Sequence, residues 1–563
     1  MPQPHPGPPP ARSSRACAAA VLLLASGCMS PEEAVDAADN QAYALVAERR
    51  AELMSSNDVL SIDAPTDSLR QRLIDGDLTA SESVVSLDLR DCLEIASENN
   101  RQFQAQRESL YLAALDLTLE RWRFGWQPTV GAGASANGSL GGNDDTGSVD
   151  AAGRMTRLFG NGGRLVLDIG AALVGAIAEG EGWDALSNLG VSWTQPLLRG
   201  SAREVVLEPL TQAERNLTYS VRNFERFRRT FALDVASRYY QLALSRQNVL
   251  NERTNIEVLD LLSRRNQAFA EAGKLSDLEA SEAAQDLISS QNRLLSLEAN
   301  FETQLDNFKF FLGLPIDTEI GIDPEGLNQL TVGAEAFDVT QVDEQALFEL
   351  ALMQRLDYLN EVEQIVDSER SARIAADDLK IGLDLSAGLN SNSEADRPLA
   401  YKSDGSTWNI GLDLDLPVDQ LPERNSYRRA LIRLQADRRA LIETQDGILA
   451  DVRDALRELQ LSKLTYDLQE RTVALNERRA RSANMNLEAG RLETDRFLNA
   501  QRDLTAARNA FVSAQVDFTL ARLQLLQDLE LLTLDENGLI VDWSPIQARM
   551  RATDSAAENE DGE

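Results

Sequence analysis

The feature that most constrains this chain is a long stretch, residues 210–272, that contains neither glycine nor proline. As one helix, its 63 residues would span about 94 Å at a rise of about 1.5 Å per residue, which is more than a globular core can bury. Apolar residues recur along it every seven residues, in two runs joined by a four-residue step. Such a step unwinds a left-handed supercoil towards straight packing. The pattern favours helices packed side by side in a straight-walled cylinder, with a filamentous coiled coil as the alternative.

The chain contains one structural plan twice. Residues 271–275 (EAGKL) correspond to residues 488–492 (EAGRL), and residues 188–191 (NLGV) correspond to residues 409–412 (NIGL). These matches follow in the same order in both halves, which indicates an internal duplication. Each half is therefore predicted to run helix, strand, strand, long helix, turn, helix.

The duplication and the two ends of the chain define six predicted segments. They are a signal peptide (1–27), an N-terminal periplasmic segment (28–87), a first repeat (88–313), an inter-repeat linker (314–342), a second repeat (343–535) and a C-terminal segment with a disordered acidic tail (536–563). Two shorter helices, at about 88–124 and 274–312, flank the long helix of the first repeat. Each is too short to match that helix, so we expect the two to stack end to end beside it.

The first 27 residues have the layout of a bacterial lipoprotein signal peptide. Arg12 and Arg15 precede an apolar run, residues 16–25, which is too short to cross a bilayer because a spanning helix needs about 20 residues. Residues 24–28 (LASGC) follow and resemble a lipobox. We interpret Cys28 as an acylated N-terminus, and an ordinary secretory signal cut near Gly27 is the alternative.

Histidine and cysteine usage excludes several classes of function. The single histidine, His5, lies in the predicted signal peptide, which leaves the mature chain without histidine-dependent nucleophiles or histidine-based zinc sites. Besides Cys28, the mature chain retains Cys92, which lies in the apolar phase of a helical stretch and is predicted to pack in a core. No catalytic residue, metal site or cofactor is predicted, and we do not expect an enzyme.

The formal net charge of −35 argues against nucleic acid as a partner, because binding to phosphates requires a basic face. An acidic chain is compatible with a water-filled passage that favours cations, and equally with a merely soluble surface. The charge therefore excludes one class of partner without selecting a function.

Four segments alternate between apolar and polar or small residues with the period of a strand. In residues 407–416, Trp408, Ile410 and Leu412 share one face while Asn409 and Asp413 share the other. The other segments are 130–136, 189–194 and 381–390. Nine to eleven residues suffice for a tilted membrane-spanning strand, so the pattern indicates a transmembrane barrel, although a soluble sheet on a helix layer would alternate in the same way. The predicted membrane-interface aromatics are Trp122, Trp126, Trp193 and Trp408.

Four strands cannot satisfy their own backbone in lipid as an open sheet, and membrane barrels smaller than eight strands are not found. Two copies would form a narrow barrel, whereas three would form a twelve-stranded barrel with a wide lumen, so a homotrimer is predicted. The first repeat also has about 34 extra residues within 138–187. One extra spanning strand would leave the chain on the wrong side of the membrane, so we expect a loop or a short hairpin outside it.

Three motifs together resemble the TolC-like outer membrane efflux protein family. They are residues 92–100 (CLEIASENN), residues 195–200 (QPLLRG) and the two Gly-x-Leu turns at Gly273 and Gly490. The resemblance covers about 88–540. It implies a mixed α/β membrane protein with long helical coiled-coil hairpins and four transmembrane strands per chain. Three chains would then form a twelve-stranded β-barrel, continued by a periplasmic α-helical tunnel.

The family resemblance also implies a function. The protein would be a passive outer-membrane exit duct, fed by a periplasmic adaptor and an inner-membrane pump or a type I secretion exporter. A helical surface or periplasmic lipoprotein that acts as a scaffold or spacer is the alternative.

By the same resemblance, the turns between the long helices would be the periplasmic tips at which the adaptor docks. The residues carried over are Gly273, Leu275, Ser276, Gly490 and Leu492. Residues 276–279 also form a predicted capping box, which the second tip lacks because Glu493 occupies the position of Ser276. Acids near the tips are candidates for an entrance gate: Asp277, Asp286, Asp495 and Asp503. Tight turns and solvated surface acids are the simpler alternatives.

Overall fold

The structure is a computed structural model of the chain. It describes residues 29–54, 61–62, 70–71, 85–137, 146–176, 184–323, 343–394, 397–535, 538–540 and 543–549. The predictions for the signal peptide, for Cys28 and for the acidic tail lie outside these residues.

The first half of the chain contains two very long helices after an N-terminal helical region and a group of strands. Its elements are α1 (Pro31–Met54), β1 (Val85–Leu87), α2 (Leu89–Asn99), α3 (Arg101–Arg123), β2 (Trp126–Asn137), β3 (Thr146–Leu158), β4 (Arg164–Ala176), β5 (Asp184–Pro196), α4 (Arg203–Val206), α5 (Glu208–Glu271), α6 (Asp277–Leu312) and β6 (Ile320–Ile322).

The second half has the same general order with fewer strands. Its elements are α7 (Glu344–Gln354), α8 (Leu356–Asp377), β7 (Gly382–Glu394), β8 (Arg397–Asp415), α9 (Leu421–Glu488), α10 (Thr494–Asp528), β9 (Thr533–Asp535) and β10 (Gly538–Ile540). Each half therefore carries one long helical hairpin, α5–α6 or α9–α10.

The predicted long helix is confirmed: α5 has 64 residues and begins and ends within two residues of the predicted limits. A proline at its start costs no hydrogen bond there, since the first helical N–H groups have no partner inside the helix. Its apolar residues pack in an aromatic cluster, in which the rings of Phe103 and Phe231 lie 5.1 Å apart and those of Phe231 and Phe311 lie 5.6 Å apart. This cluster joins α3, α5 and α6.

The two shorter helices of the first half meet end to end, as predicted. The helical region 88–124 is broken at Asn100, whose side chain caps α3 by accepting hydrogen bonds from the N–H groups of Gln102 and Phe103. The Asn100 amide also donates to the Phe311 carbonyl at 2.6 Å, in the last turn of α6. Gly313 then ends α6 with a φ of 78°. The joint at Asn100 therefore aligns α6 with α3 beside α5.

Six strands form one antiparallel sheet in the order β2-β3-β4-β5-β7-β8. The prediction of four strands per chain is wrong, because the extra segment, expected as a loop or a short hairpin outside the membrane, adds two strands to the sheet. The extra segment forms β3 and β4, and two added strands return the chain to the side from which it started. The alternation of apolar and polar residues is weak in both added strands. In β3, small and charged residues such as Ala151, Ala152 and Arg154 dominate, and in β4 consecutive apolar residues follow Arg164.

The N-terminal helix α1 packs on the helical layer. Ala42 and Val46 belong to the same buried cluster as Phe103. The guanidinium of Arg50 forms a buried ion pair with Glu225 of α5 at 2.8 Å. Cys92 is fully buried, which confirms its predicted place in a core, and burial raises the pKa of its thiol. Among the described residues, none of the helices combines the length and the apolar character needed to cross a membrane.

Candidate functional site

The six-stranded sheet has one polar and one apolar face, and both faces are continuous across all six strands. The strand register places mainly polar and small residues on one face and mainly apolar residues on the other, with exceptions such as Val166 on the polar face and Arg157 on the apolar face. The polar face carries Thr129, Ser148, Asp150, Arg154, Asp168, Asn188, Ser192, Asn390 and Asn409. The apolar face carries Val130, Val149, Met155, Leu167, Ile169, Leu189, Val191, Leu389, Ile410 and Leu412.

The polar face is concave. It contains an open cavity of about 690 Å³, whose walls include Thr129 on β2, Arg154 and Asp168 on β3 and β4, and Asn409 on β8. Arg154 and Asp168 are directly opposed in the sheet and form an ion pair at 2.5 Å. A concave polar surface of this kind can line a water-filled passage.

The apolar face is exposed in the single chain. Trp408 is 75% exposed and Ile410 is 69% exposed, and Leu412 and Leu414 continue the exposed row along β8 to Leu416, just after the strand. A contiguous apolar surface of this size marks contact with lipid or with another protein.

The two edge strands of the sheet are β2 and β8, and within the described residues neither pairs with a further strand on its outer side. Edge strands present free N–H and C=O groups, which lipid cannot satisfy. A sheet with these faces and edges is therefore incomplete as a single chain in a membrane.

The motif at residues 195–200 forms the junction between the sheet and the helices. The Leu197 N–H donates to the Leu383 carbonyl at 2.7 Å, which extends the pairing of β5 with β7 beyond the strand. Arg199 pairs with Asp415 at 2.7 Å, so β5 is also tied to the end of β8. The motif identified in the sequence thus has a structural role at the base of the sheet.

Gly200 links this junction to the end of α8 through a hydrogen bond. Its N–H donates to the buried Asp377 carboxylate at 2.8 Å, and its φ of 73° is a conformation that glycine adopts without strain. Burial acts to raise the pKa of Asp377, but the hydrogen bonds from Lys380 and from the Gly200 N–H, together with the charge of Lys380, hold that pKa below its usual range. The carboxylate is therefore charged at neutral pH and fixes the β5–α5 connection to α8.

The turn between β3 and β4, residues 159–163, rests on the same junction. The Gln195 side chain donates to the Asn161 carbonyl at 2.7 Å, and the rings of Phe159 and Trp193 lie 5.3 Å apart. Gly162 has a φ of 79°, and a Cβ at this position would lie 2.7 Å from the Gly200 carbonyl oxygen. The added hairpin is thus anchored at the end of the sheet that faces the helices.

Three of the four predicted interface tryptophans lie on the apolar face of the sheet. Trp126 is the first residue of β2, and Trp193 lies near the helical end of β5. Trp408 lies higher in the sheet, opposite Leu389. Trp122 is instead an exposed residue in the last turn of α3, just below the sheet. Their role at a membrane interface stays a prediction.

The predicted tip residues all lie in the two turns at the far ends of the helical hairpins. Gly273 and Gly490 follow α5 and α9 with φ values of 64° and 65°. The N–H of Lys274 donates to the Phe269 carbonyl at 2.8 Å, and the N–H of Arg491 donates to the Asn486 carbonyl at 2.8 Å, so both helices end in the same glycine-dependent cap. Leu275, Ser276 and Leu492 complete the two turns. Docking of a partner at these residues stays a prediction.

The two tips begin their second helices differently, as the sequence indicates. Ser276 and Glu279 form a reciprocal capping box at the start of α6, whereas Glu493 makes no side-chain hydrogen bond at the start of α10. We expect Ser276→Ala to destabilise the first turn of α6 by about 1 kcal/mol. Amide hydrogen exchange in residues 277–281 should then accelerate about fivefold. Glu493→Ala is the matched control and should leave exchange in residues 494–498 unchanged, so equal effects at both tips would contradict the assignment.

The candidate gate acids are of two kinds. Asp286 and Asp503 form ion pairs at 2.6 Å, with Arg502 and Arg479 respectively. Asp277 and Asp495 lie in the first turns of α6 and α10. The role of all four acids in a gate stays a prediction.

Sequence reasoning missed the contacts that hold the two hairpins together near the tips. The Asp286–Arg502 pair joins α6 to α10, and the buried Asn266 amide on α5 donates to Thr494 Oγ1 at 3.0 Å. A buried apolar cluster that includes Leu262, Phe497 and Leu498 lies between the hairpins. No local pattern marks these partners, because they are more than two hundred residues apart in the chain.

Comparison with known proteins finds a family match in the second half of the chain. Residues 347–529 match the family model described as outer membrane efflux protein. This part of the chain is similar to the outer membrane efflux protein family. The resemblance inferred from the sequence motifs is confirmed over these residues.

Solved structures of channels share the fold. CusC, described as forming a transmembrane channel, has 14% sequence identity and a TM-score of 0.57, covering 80% of this chain and 94% of its own. The outer membrane protein VceC of Vibrio cholerae has 15% identity and a TM-score of 0.56, covering 78% and 96%. The CmeC outer membrane channel of Campylobacter jejuni has 15% identity and a TM-score of 0.56, covering 89% and 95%. At these identities the likeness shows the fold. No curated protein matches the chain by sequence.

Proposed function

We propose that this protein is an outer-membrane efflux protein, the exit duct of a tripartite efflux or type I secretion system. The observation that supports this proposal most directly is the sheet, which has a concave polar face and an exposed apolar face and is joined to two long helical hairpins. The polar face would line the passage, and the apolar face would contact lipid. Transport through such a duct is passive, and the energy comes from the pump that feeds it.

The duct is proposed to be a homotrimer in which the edges β2 and β8 of neighbouring chains pair. Pairing between copies satisfies the edge N–H and C=O groups that one chain leaves free. With six strands per chain, two copies would also supply enough strands to close a barrel, so strand number no longer selects three copies. The trimer is supported instead by the match of residues 347–529 to the outer membrane efflux protein family.

The periplasmic tips are proposed to engage an adaptor protein and, through it, an inner-membrane pump. The turns at Gly273 and Gly490 are the most distant points from the sheet along the hairpins. Near them, the Asp286–Arg502 and Asn266–Thr494 contacts join the two hairpins of one chain. Separation of the hairpins at the entrance would break these contacts, so they would hold the entrance in its resting arrangement until the partner binds.

Membrane fractionation tests this function. A heat-modifiable trimer extracted by detergent from outer membranes, which forms ion-conducting channels in planar bilayers, is the expected result. Release of the protein from membranes by mild salt would contradict the duct. A detergent-extracted protein that forms neither a trimer nor a channel would support the alternative, a helical lipoprotein that acts as a scaffold or spacer. Radiolabelled palmitate incorporation, with Cys28→Ala as the control, separately tests the proposed acylation of Cys28.

A further inference from the structure

We propose that Arg157, on the added strand β3, binds the phosphate of an anionic phospholipid in the leaflet that borders the periplasm. The inference rests on the proposed function, which places the apolar face of the sheet in a bilayer. It concerns a segment with no counterpart in the second half of this chain, where β7 and β8 alone separate the corresponding helices.

Arg157 breaks the pattern of the face on which it lies. Alternate residues of β2, β3, β4 and β5 form the apolar face, and Arg157 is the only charged residue at these positions. The residues opposite Arg157 on the two neighbouring strands are Trp126 and Leu165. Leu165 is in turn opposite Trp193. The arginine therefore lies in a row across the sheet that has a tryptophan at each end.

This row lies at the end of the sheet that faces the helices. Trp126 is the first residue of β2, and Arg157 is followed in β3 only by Leu158. Tryptophans concentrate at the two surfaces of a bilayer, and an arginine on the lipid face of a barrel is costly at the midplane but tolerated near the surface. With the helices in the periplasm, the row lies at the depth of the lipid headgroups of the periplasmic leaflet.

Aromatic rings hold the Arg157 side chain in place. Its guanidinium carbon lies 5.5 Å from the centre of the Trp126 ring and 5.1 Å from the centre of the Phe159 ring. Phe159 is fixed in the β3–β4 turn, because its N–H donates to the Gly163 carbonyl at 2.8 Å and its ring lies 5.3 Å from that of Trp193. A guanidinium that stacks on aromatic rings keeps its in-plane N–H groups free to donate. The group is therefore held in position for an acceptor.

The protein does not supply that acceptor. No hydrogen bond or ion pair joins Arg157 to another of the described residues, and its Nε is buried without a partner. By contrast, the two arginines in the last turn of α3 have carboxylates nearby: Arg123 pairs with Glu120 at 2.6 Å, and Arg121 lies 3.8 Å from Glu214. A partly buried charge without a partner is costly, so Arg157 requires an anion from outside the chain.

The position of β3 indicates where the anion comes from. It is an interior strand, with β2 on one side and β4 on the other, so a neighbouring copy that pairs with an edge of the sheet does not lie beside it. In a membrane the apolar face contacts lipid, whose phosphate offers two oxygens to the fork of a guanidinium. Phosphatidylglycerol has no cation of its own to neutralise the phosphate, whereas phosphatidylethanolamine has one. An anionic phospholipid is therefore the better match for an unpaired arginine.

Native mass spectrometry of the full-length, detergent-extracted trimer with added phospholipid tests this site. The unmodified trimer should retain phosphatidylglycerol, up to one molecule per chain, in preference to phosphatidylethanolamine with the same acyl chains. Arg157→Gln should lower the affinity for phosphatidylglycerol about tenfold, because it removes charge-assisted hydrogen bonds. Arg154→Gln is the matched control: it removes the same charge from the same strand, but Arg154 pairs with Asp168 on the polar face, so lipid binding should not change.

Trimer abundance and ion conductance, measured on the same preparations, separate the two possible failures. A conducting trimer would overturn the lipid inference, and leave the proposed function intact, if it showed no preference for phosphatidylglycerol or if both variants bound it equally well. Displacement of the lipid by inorganic phosphate would also overturn it, by showing a general anion site. A protein that forms neither a trimer nor a channel would overturn the proposed function itself. The lipid preference of the unmodified trimer decides the inference even if Arg157→Gln does not assemble.

Discussion

Replacing Ile410 by arginine is expected to remove most of the assembled protein from the outer membrane. Ile410 lies on the apolar face of β8, opposite Ala387 near the middle of β7, and is 69% exposed in one chain. An arginine on the lipid face of a barrel costs up to about 2–4 kcal/mol, depending on its depth in the bilayer, and a trimer carries this cost three times. The measurement is the amount of heat-modifiable trimer in outer-membrane extracts.

Asn409→Arg is the matched control, since Asn409 is the next residue along the strand and faces the concave polar side. It is expected to leave trimer abundance within about twofold of the unmodified protein and to lower the cation preference of the channel, because it places positive charge on the wall of the passage. Equal loss of trimer in both variants would indicate a soluble sheet or a generally fragile strand. Normal assembly of the Ile410→Arg variant would contradict the assigned lipid face.

The second large effect is expected at Glu530, which follows α10. Its side chain is 1% exposed and accepts hydrogen bonds from Arg226 at 2.5 Å and Arg229 at 3.0 Å, both on α5. Arg226 also pairs with Asp357 at 3.0 Å at the start of α8. The cluster therefore joins the first half of the chain to the second.

Glu530→Ala is expected to lower the free energy of unfolding by about 3 kcal/mol, because it leaves partly buried guanidinium groups without their shared carboxylate. Glu530 has a φ of 58°, and alanine retains this unfavourable conformation, so the loss reports the carboxylate and not the backbone. Denaturant titration of the purified protein, followed by circular dichroism, measures the change.

Asp454→Ala provides the control. Asp454 pairs with Arg457 on the surface of α9, where both side chains are largely exposed. Surface ion pairs of this kind contribute less than about 1 kcal/mol, so the denaturation midpoint should hardly move. A loss at Glu530 no larger than at Asp454 would show that the buried cluster does not stabilise the contact between the two halves.

The positions of the candidate gate acids could be predicted from the sequence, but their ion-pair partners could not. Their proximity to the tips followed from counting along a regular helix. Their partners did not, because Asp286 pairs with Arg502 on a helix of the other half of the chain. Ion pairs between two packed helices depend on how each helix is rotated about its axis. Several arginines lie at similar distances along the chain from the tips, so their sequence positions do not show which of them faces Asp286.

The long helices, the glycine turns and four of the six strands, β2, β5, β7 and β8, could be predicted from the sequence because each depends on interactions within a few residues. Helix continuity follows from the absence of glycine and proline, tip geometry follows from Gly273 and Gly490, and the strand faces follow from alternation in segments such as 407–416. The β3–β4 hairpin could not be predicted in the same way. In β3, Ala151, Gly153 and Arg154 give a weak alternation, and the strand acquires its faces through its pairing with β2 and β4. Strand number is therefore a property of pairing between distant segments, and it sets the width of the sheet.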